Sequence, residues 1–199
     1  MTADQARFEA ALAAFDAANG EDPNQEVVRG ESVPSALIYG RRMSETLDRL
    51  APEASEELKL AIRAQHLRRW AIPRDRYPEG IKGYNQWRRA MALFHAETAG
   101  EILQELGYPG EQIGRVQFLL RKEGRTRDAE AQQLEDVASL VFLEHYFSDF
   151  IEKYNYDDEK VIDIVRKTWR KMSPQAHEAA LKIALPPREQ DLVGRALAP

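Results

Sequence analysis

Apolar side chains recur three or four residues apart along most of this 199-residue chain, which is the spacing of one face of an α-helix. Phe8, Leu12 and Phe15 follow this spacing near the N-terminus, and Leu58 and Ile62 follow it further on. Convincing alternation of apolar and polar residues is missing, since the best β-branched pair, Val27-Val28, is too short for a strand. The sequence therefore predicts an all-α fold, arranged as a single-domain bundle of about eight helices.

Capping residues, glycines and prolines divide this pattern into separate helices. Ser55 and Ser173 are expected to begin helices, and Gly107 to end one. We predict helices over residues 3–18, 34–50, 55–70, 84–106, 110–122, 129–154, 159–171 and 174–185. Residues 21–33 and 75–83 are predicted as loops. The domain is expected to cover residues 1–185, and residues 186–199, after Pro186-Pro187, are predicted to form a loosely ordered tail.

Composition excludes several classes of function. The net charge of −5 and pI of about 5.5 argue against a nucleic-acid partner, and no apolar run is long enough to span a membrane. The chain has no cysteine, which excludes disulfides, thiolate catalysis and cysteine-bound zinc. The N-terminus lacks the features of a signal peptide, so we expect a cytoplasmic protein.

Three predicted helices each carry one polar residue within an apolar face: His66, His95 and Asp136. Imidazole nitrogens and carboxylate oxygens are suitable ligands for zinc, iron or manganese. We therefore predict that these three residues bind a divalent metal ion. The alternative is an internal hydrogen-bond network, because a histidine on an apolar face is most often a hydrogen-bonded core residue.

Arginines cluster around His66 in the sequence, and aromatic residues lie between them. The guanidinium group suits phosphate oxygens, and aromatic rings can stack on a base. The pattern favours a phosphorylated, nucleotide-like small molecule as ligand; its candidate binding residues are Arg63, Arg69, Arg74, Arg88 and Trp70. The alternative is that these arginines form ion pairs with acidic residues of neighbouring helices.

Several motifs resemble a family described only as domain of unknown function 4202. They are Glu21-Asp22-Pro23, Gln65 to Arg74 (QHLRRWAIPR), Gly83-Tyr84, Phe94 to Glu97 (FHAE), Leu134 to Val137 (LEDV), Leu140 to Glu144 (LVFLE) and Lys167 to Ser173 (KTWRKMS). The resemblance covers nearly the whole chain. It implies a helical protein and brings no established activity.

The order of the candidate ligands is also similar to that of the HD phosphohydrolase superfamily, in which helices carry histidine ligands and a late aspartate. On this resemblance His66 matches the first ligand, His95 an additional histidine and Asp136 the last ligand. The His-Asp doublet after which the superfamily is named is absent from the sequence.

Three functions follow from these observations. The first is a metal-dependent phosphohydrolase on an HD-like arrangement, with Glu135 or Glu144 as the general base. The second is a non-catalytic ligand-binding or regulatory protein on the same scaffold, which the missing doublet favours. The third is a helical protein-interaction module.

Overall fold

The structure is a computed structural model, and it describes residues 2–124 and 127–198 of the chain. The described residues form ten α-helices and one short β-hairpin, which confirms the predicted all-α class. Contacts divide the chain into two compact units, Met1–Arg125 and Thr126–Pro199. The prediction of one domain over residues 1–185 stays a prediction.

The first unit contains five helices and the hairpin. Its elements are α1 (Ala3–Gly20), β1 (Gln25–Val28), β2 (Glu31–Pro34), α2 (Ser35–Leu50), α3 (Glu56–Arg63), α4 (Gly80–Glu105) and α5 (Gly110–Leu120). Two single 3₁₀ turns, Arg69–Ala71 and Arg74–Arg76, lie between α3 and α4. Helix α3 packs against α2 and α5, and α4 packs against α5. The largest fully buried side chains of this core are Phe15, Met43, Leu47, Leu58, Leu60, Ile62, Leu67, Leu103 and Leu119.

The prediction of a loop over residues 21–33 is wrong, because this segment contains the β-hairpin. Val27 pairs with Ser32 in the antiparallel register, and Arg29 and Gly30 form the turn with positive φ. Asp22 stabilises the start of the hairpin. Its buried carboxylate accepts hydrogen bonds from the backbone N–H groups of Asn24 and Ala36, both at 2.9 Å.

Helix α3 ends at Arg63, well before the predicted end at Trp70, so the prediction that His66 lies on this helix is wrong. Arg68 adopts the left-handed conformation, with a φ of 52°, which an α-helix cannot continue through. The backbone N–H of Arg68 donates to Oδ1 of the buried Asn19 at 3.0 Å. The chain therefore turns over residues 64–68, and this turn carries His66.

The second unit contains α6 (Ala129–Val141), a π-helical turn (Phe142–Tyr146), α7 (Phe147–Tyr154), α8 (Asp158–Trp169), α9 (Pro174–Ala180) and α10 (Pro187–Leu197). The helix predicted over residues 129–154 therefore contains a π-helical turn. Asp128, Asp157 and Ser173 cap α6, α8 and α9 through their side-chain oxygens.

Residues 186–199, predicted as a loosely ordered tail, contain α10. Leu192 and Ala196 on this helix are buried, and α10 packs against α8. Arg166 of α8 also donates to the carbonyl oxygen of Ala196 at 3.0 Å. The described helices include none that is both long enough and apolar enough to cross a bilayer.

Candidate functional site

A cavity of about 90 Å³ lies in the first unit, beside the turn that follows α3. A volume of this size is enough for several water molecules. The cavity brings together both predicted histidines and two of the predicted arginines. Its lining residues are Gln65, His66, Arg69, Trp87, Arg88, Met91, Ala92, His95, Leu120 and Lys122.

His95 lies on α4 and is almost completely buried, with 4% of its surface exposed. Its Nδ1–H donates to the carbonyl oxygen of Leu67 at 2.7 Å, because a carbonyl can only accept. In the neutral ring Nε2 therefore has a lone pair, and this atom has no hydrogen-bond partner among the described residues. Burial, together with the charges of Arg69 and Lys122, lowers the pKa of His95 to about 4, so the ring is neutral at pH 7.

His66 lies in the turn after α3 and retains part of its accessible surface. Its ring stacks on Tyr39, with centroids 3.9 Å apart, and its centroid is 5.9 Å from that of His95. Nε2 of His66 accepts a hydrogen bond from Nη1 of Arg69 at 3.1 Å. Desolvation by burial and then the charge of Arg69 lower the pKa of His66 well below its usual value.

Three positively charged side chains line the cavity, those of Arg69, Arg88 and Lys122. Among the lining residues that the structure describes, none is Asp or Glu. Two neutral imidazoles beside three cations fit an anion better than a divalent cation, which the positive charges would repel. One ring nitrogen of His66 is, in addition, already bonded to Arg69.

Contacts with Trp87 hold Arg69 in place beside the cavity. The guanidinium group of Arg69 lies over the ring of Trp87, 4.7 Å from its centroid. Trp87 is fixed in turn, because its Nε1–H donates to the carbonyl oxygen of Ile72 at 2.9 Å. Lys122 follows the end of α5 with a φ of 58°, a left-handed conformation that is uncommon for lysine.

Asp136, the third predicted metal ligand, lies in the second unit. Its buried Oδ1 accepts hydrogen bonds from Nε2 of Gln132 at 2.9 Å and from the backbone N–H of Ser173 at 2.8 Å. These bonds connect α6 with the residue that caps α9. Among residues 2–124 and 127–198, no three His, Asp or Glu side chains form a group suited to a metal ion. The three-residue metal site stays a prediction.

Arg63, Arg74 and Trp70 do not belong to the described lining of the cavity. Arg63 forms a forked ion pair with Asp16, with both N–O distances at 2.7 Å. Arg74 donates to the carbonyl oxygens of Tyr77 and Pro78, at 2.8 and 2.9 Å, in the segment that leads into α4. Trp70 lies in the first 3₁₀ turn and is partly buried. The contacts of Arg63 and Arg74 are therefore with the protein itself and stabilise the fold.

The two predicted general bases lie in the second unit. Glu135 is buried on α6, with one carboxylate oxygen 3.8 Å from Nζ of Lys171. Glu144 lies in the π-helical turn, with a carboxylate oxygen 3.8 Å from Nε2 of His145. A catalytic role for either residue stays a prediction.

Sequence reasoning missed Gln65, Tyr39 and Lys122. Gln65 is adjacent to His66 and could have been found by extending the site one residue along the chain. Lys122 was predicted only as the last residue of a helix, and nothing in its neighbourhood indicates the left-handed conformation. Tyr39 lies on α2 and reaches His66 only through the packing of the unit.

Comparison with known proteins places this chain in a family. The family model described as Domain of unknown function (DUF4202) matches residues 9–193, so the chain belongs to that family. No curated protein and no solved structure matches the chain.

Proposed function

We propose that this protein binds a phosphorylated small molecule and that the cavity beside His66 and His95 receives the phosphate group. One observation carries the proposal: the small cavity has three cationic side chains and no carboxylate among its described lining residues. A tetrahedral oxyanion occupies about the volume of a few water molecules, so the cavity of about 90 Å³ is large enough to admit it.

The electrostatics of the cavity support an anionic ligand. Desolvation is the largest cause of the lowered pKa of both histidines, and the charges of Arg69 and Lys122 lower it further. The same positive potential that disfavours an imidazolium ion favours a phosphate. Each charge-assisted hydrogen bond from Arg69, Arg88 or Lys122 to a phosphate oxygen contributes roughly 1.5–3 kcal/mol.

Two buried polar atoms define a further requirement of the ligand. Nε2 of His95 and Oε1 of Gln65 have no hydrogen-bond partner among the described residues. Buried polar atoms left unpaired are costly, so a ligand that carries a proton donor gains affinity there. A monoprotonated phosphate, or a hydroxyl group next to the phosphate, supplies such a donor. Gln65 can present its NH₂ group instead by rotating the amide.

Inorganic phosphate is the simplest probe for this proposal. Isothermal titration calorimetry of the full chain should detect phosphate binding, and Arg69→Gln and Lys122→Gln should each weaken it at least about tenfold, since each removes one charged donor. Arg188→Gln is the matched control. It removes one exposed arginine from the second unit and should leave the affinity unchanged. Absence of phosphate binding, or equal effects of all three variants, would overturn the proposal.

Metal-dependent phosphohydrolysis is a second candidate, favoured by the orientation of His95. Metal-ligating histidines commonly donate one ring N–H to a backbone carbonyl, as His95 does to Leu67, and bind the metal through the other nitrogen. Equilibrium dialysis against zinc or manganese tests this function. His95→Asn preserves a donor towards Leu67 but removes Nε2, so it should abolish bound metal. Phosphate binding without bound metal and without hydrolysis of a phosphate monoester favours the binding function alone.

A further inference from the structure

A second, larger depression lies next to the cavity in the same unit. It has a volume of about 470 Å³, which is within the range of pockets that bind small molecules. We name it the outer groove; its lining residues include Arg88, Arg89, Ala92, Arg121, Lys122 and Glu123. Arg88, Ala92 and Lys122 line both the cavity and the outer groove, so a ligand can extend from one into the other.

The outer groove is also positively charged. Arg88 and Arg89 are exposed, and neither forms an ion pair with a carboxylate of the described residues. Among the lining residues of the groove that the structure describes, the acidic one is Glu123, and one of its oxygens is 2.7 Å from Nε of Arg121. Both partners of this pair are partly exposed, at 31% and 49%. Exposed ion pairs contribute little free energy, so Arg121 can also contact an anion of higher charge than the carboxylate of Glu123, such as a phosphate group.

We infer that the outer groove binds a second phosphate group, so that the ligand is a phosphoanhydride, with pyrophosphate as its simplest form. The inference rests on the proposed phosphate site in the cavity. In this arrangement one phosphate occupies the cavity near Arg69, and the next lies in the groove between Arg89 and Arg121. Arg88 and Lys122 contact both phosphates, because they line both spaces.

Titration of the full chain with phosphate and with pyrophosphate, in EDTA to remove divalent cations, tests the inference. Pyrophosphate should bind at least about tenfold more tightly than phosphate, because it adds charge-assisted contacts. Arg89→Gln should reduce pyrophosphate affinity about fivefold or more and change phosphate affinity less than twofold. Since Arg89 is exposed, this substitution should not disturb folding. Arg188→Gln, in the second unit, should change neither affinity.

The possible failures separate the two proposals. If phosphate binds and pyrophosphate binds no more tightly, or if Arg89→Gln weakens both ligands equally, the outer groove is not a phosphate site and the cavity proposal stands. If neither ligand binds, both proposals fail. If pyrophosphate binds but Arg69→Gln has no effect on it, the cavity does not receive a phosphate, and both proposals fail as stated.

Discussion

Lys122 occupies a conformation that costs lysine roughly 1 kcal/mol, since a left-handed backbone brings Cβ close to the following carbonyl oxygen. Glycine has no Cβ and adopts this conformation readily. We predict that Lys122→Gly raises the free energy of unfolding by up to about 1 kcal/mol and the midpoint of thermal unfolding by roughly 2–4 °C. The same substitution should weaken phosphate binding at least about tenfold, because it removes a cation from the cavity.

Calorimetric unfolding and phosphate titration of one preparation measure both effects of this substitution. Lys122→Gln is the control, because it removes the charge and retains the backbone strain. It should lose phosphate affinity without any gain in stability. A glycine variant that is both more stable and unchanged in phosphate affinity would show that Lys122 does not serve the ligand.

His95 should make the protein sensitive to acid. Its pKa is about 4 in the folded chain and near 6.5 when unfolded, so between these values the unfolded state binds the extra proton. The stability present above pH 6.5 is therefore lost progressively as the pH falls towards 4. His95→Asn keeps a donor for the carbonyl oxygen of Leu67 and does not titrate.

Urea unfolding at pH 7 and pH 4.5 should show the difference. The wild-type chain is expected to lose roughly 2–3 kcal/mol more stability than His95→Asn over this interval. The lowered pKa of His66 acts in the same direction in both proteins. Its largest causes, desolvation by burial and the charge of Arg69, are present in both, and the charge of His95 comes after them, so most of the His66 contribution cancels in the comparison. Equal losses in the two proteins would contradict a neutral, buried His95.

Individual site residues were predictable from sequence to different degrees. His95 follows the apolar spacing of α4 and is buried there, as its position indicated. Arg69 and Arg88 belong to the cluster of arginines around His66 in the sequence and line the cavity, and their role in binding stays a prediction. The position of Lys122 was not predictable, because it depends on one backbone conformation in a charged turn. Nor could the sequence show that Arg63 would be bound by Asp16, since α1 and α3 meet only in the folded unit.

At the scale of elements, Gly83 allows α4 to begin close to the segment before it. A Cβ at this position would lie 1.8 Å from the carbonyl oxygen of Pro78, and a backbone atom cannot move aside without a change in the loop. We predict that Gly83→Ala destabilises the protein by at least about 3 kcal/mol through this overlap. It should also weaken phosphate binding, because α4 carries Arg88 and His95 into the cavity.

Gly114 provides the matched control for this substitution. It lies inside α5, and a Cβ there would meet no atom within 4 Å. Gly114→Ala should therefore be neutral or stabilise by up to about 1 kcal/mol, as expected for alanine in a helix interior. Chemical denaturation of both variants measures the contrast, and similar behaviour would contradict the close approach at Gly83.

Helix starts with a capping side chain were predicted well. Other boundaries were predicted less well: α4 begins at Gly80, inside the segment predicted as a loop over residues 75–83. Ser55 and Ser173 cap α3 and α9 through local hydrogen bonds, which leave a signal in the sequence. The end of α3 at Arg63 leaves no such signal, because the apolar spacing continues past it to Trp70. The turn that follows is held by a contact between Asn19 and Arg68, which are far apart in the chain. A tertiary contact therefore helps to hold the turn that carries His66, and such a contact cannot be found from local sequence.

At the scale of the whole molecule, the site is a positive region within an acidic protein of net charge −5. Salt should weaken anion binding in the cavity and in the outer groove to different extents. The outer groove is open, and exposed charges are screened over a Debye length of about 10 Å at 0.1 M salt. Contacts inside the small cavity are partly removed from solvent and should be screened less.

We therefore predict that the advantage of pyrophosphate over phosphate shrinks as sodium chloride is raised from about 50 to about 500 mM. Screening weakens the contacts of Arg89 and Arg121 with the second phosphate, whereas the phosphate in the cavity keeps more of its binding energy. Titrations of both ligands across this range measure the ratio of the two dissociation constants. Arg89→Gln, which lacks one groove charge, should show a smaller change in this ratio than the wild-type chain. A ratio that is independent of salt would indicate that both phosphates lie in equally buried positions. That result would contradict the placement of the second phosphate beside the exposed Arg89.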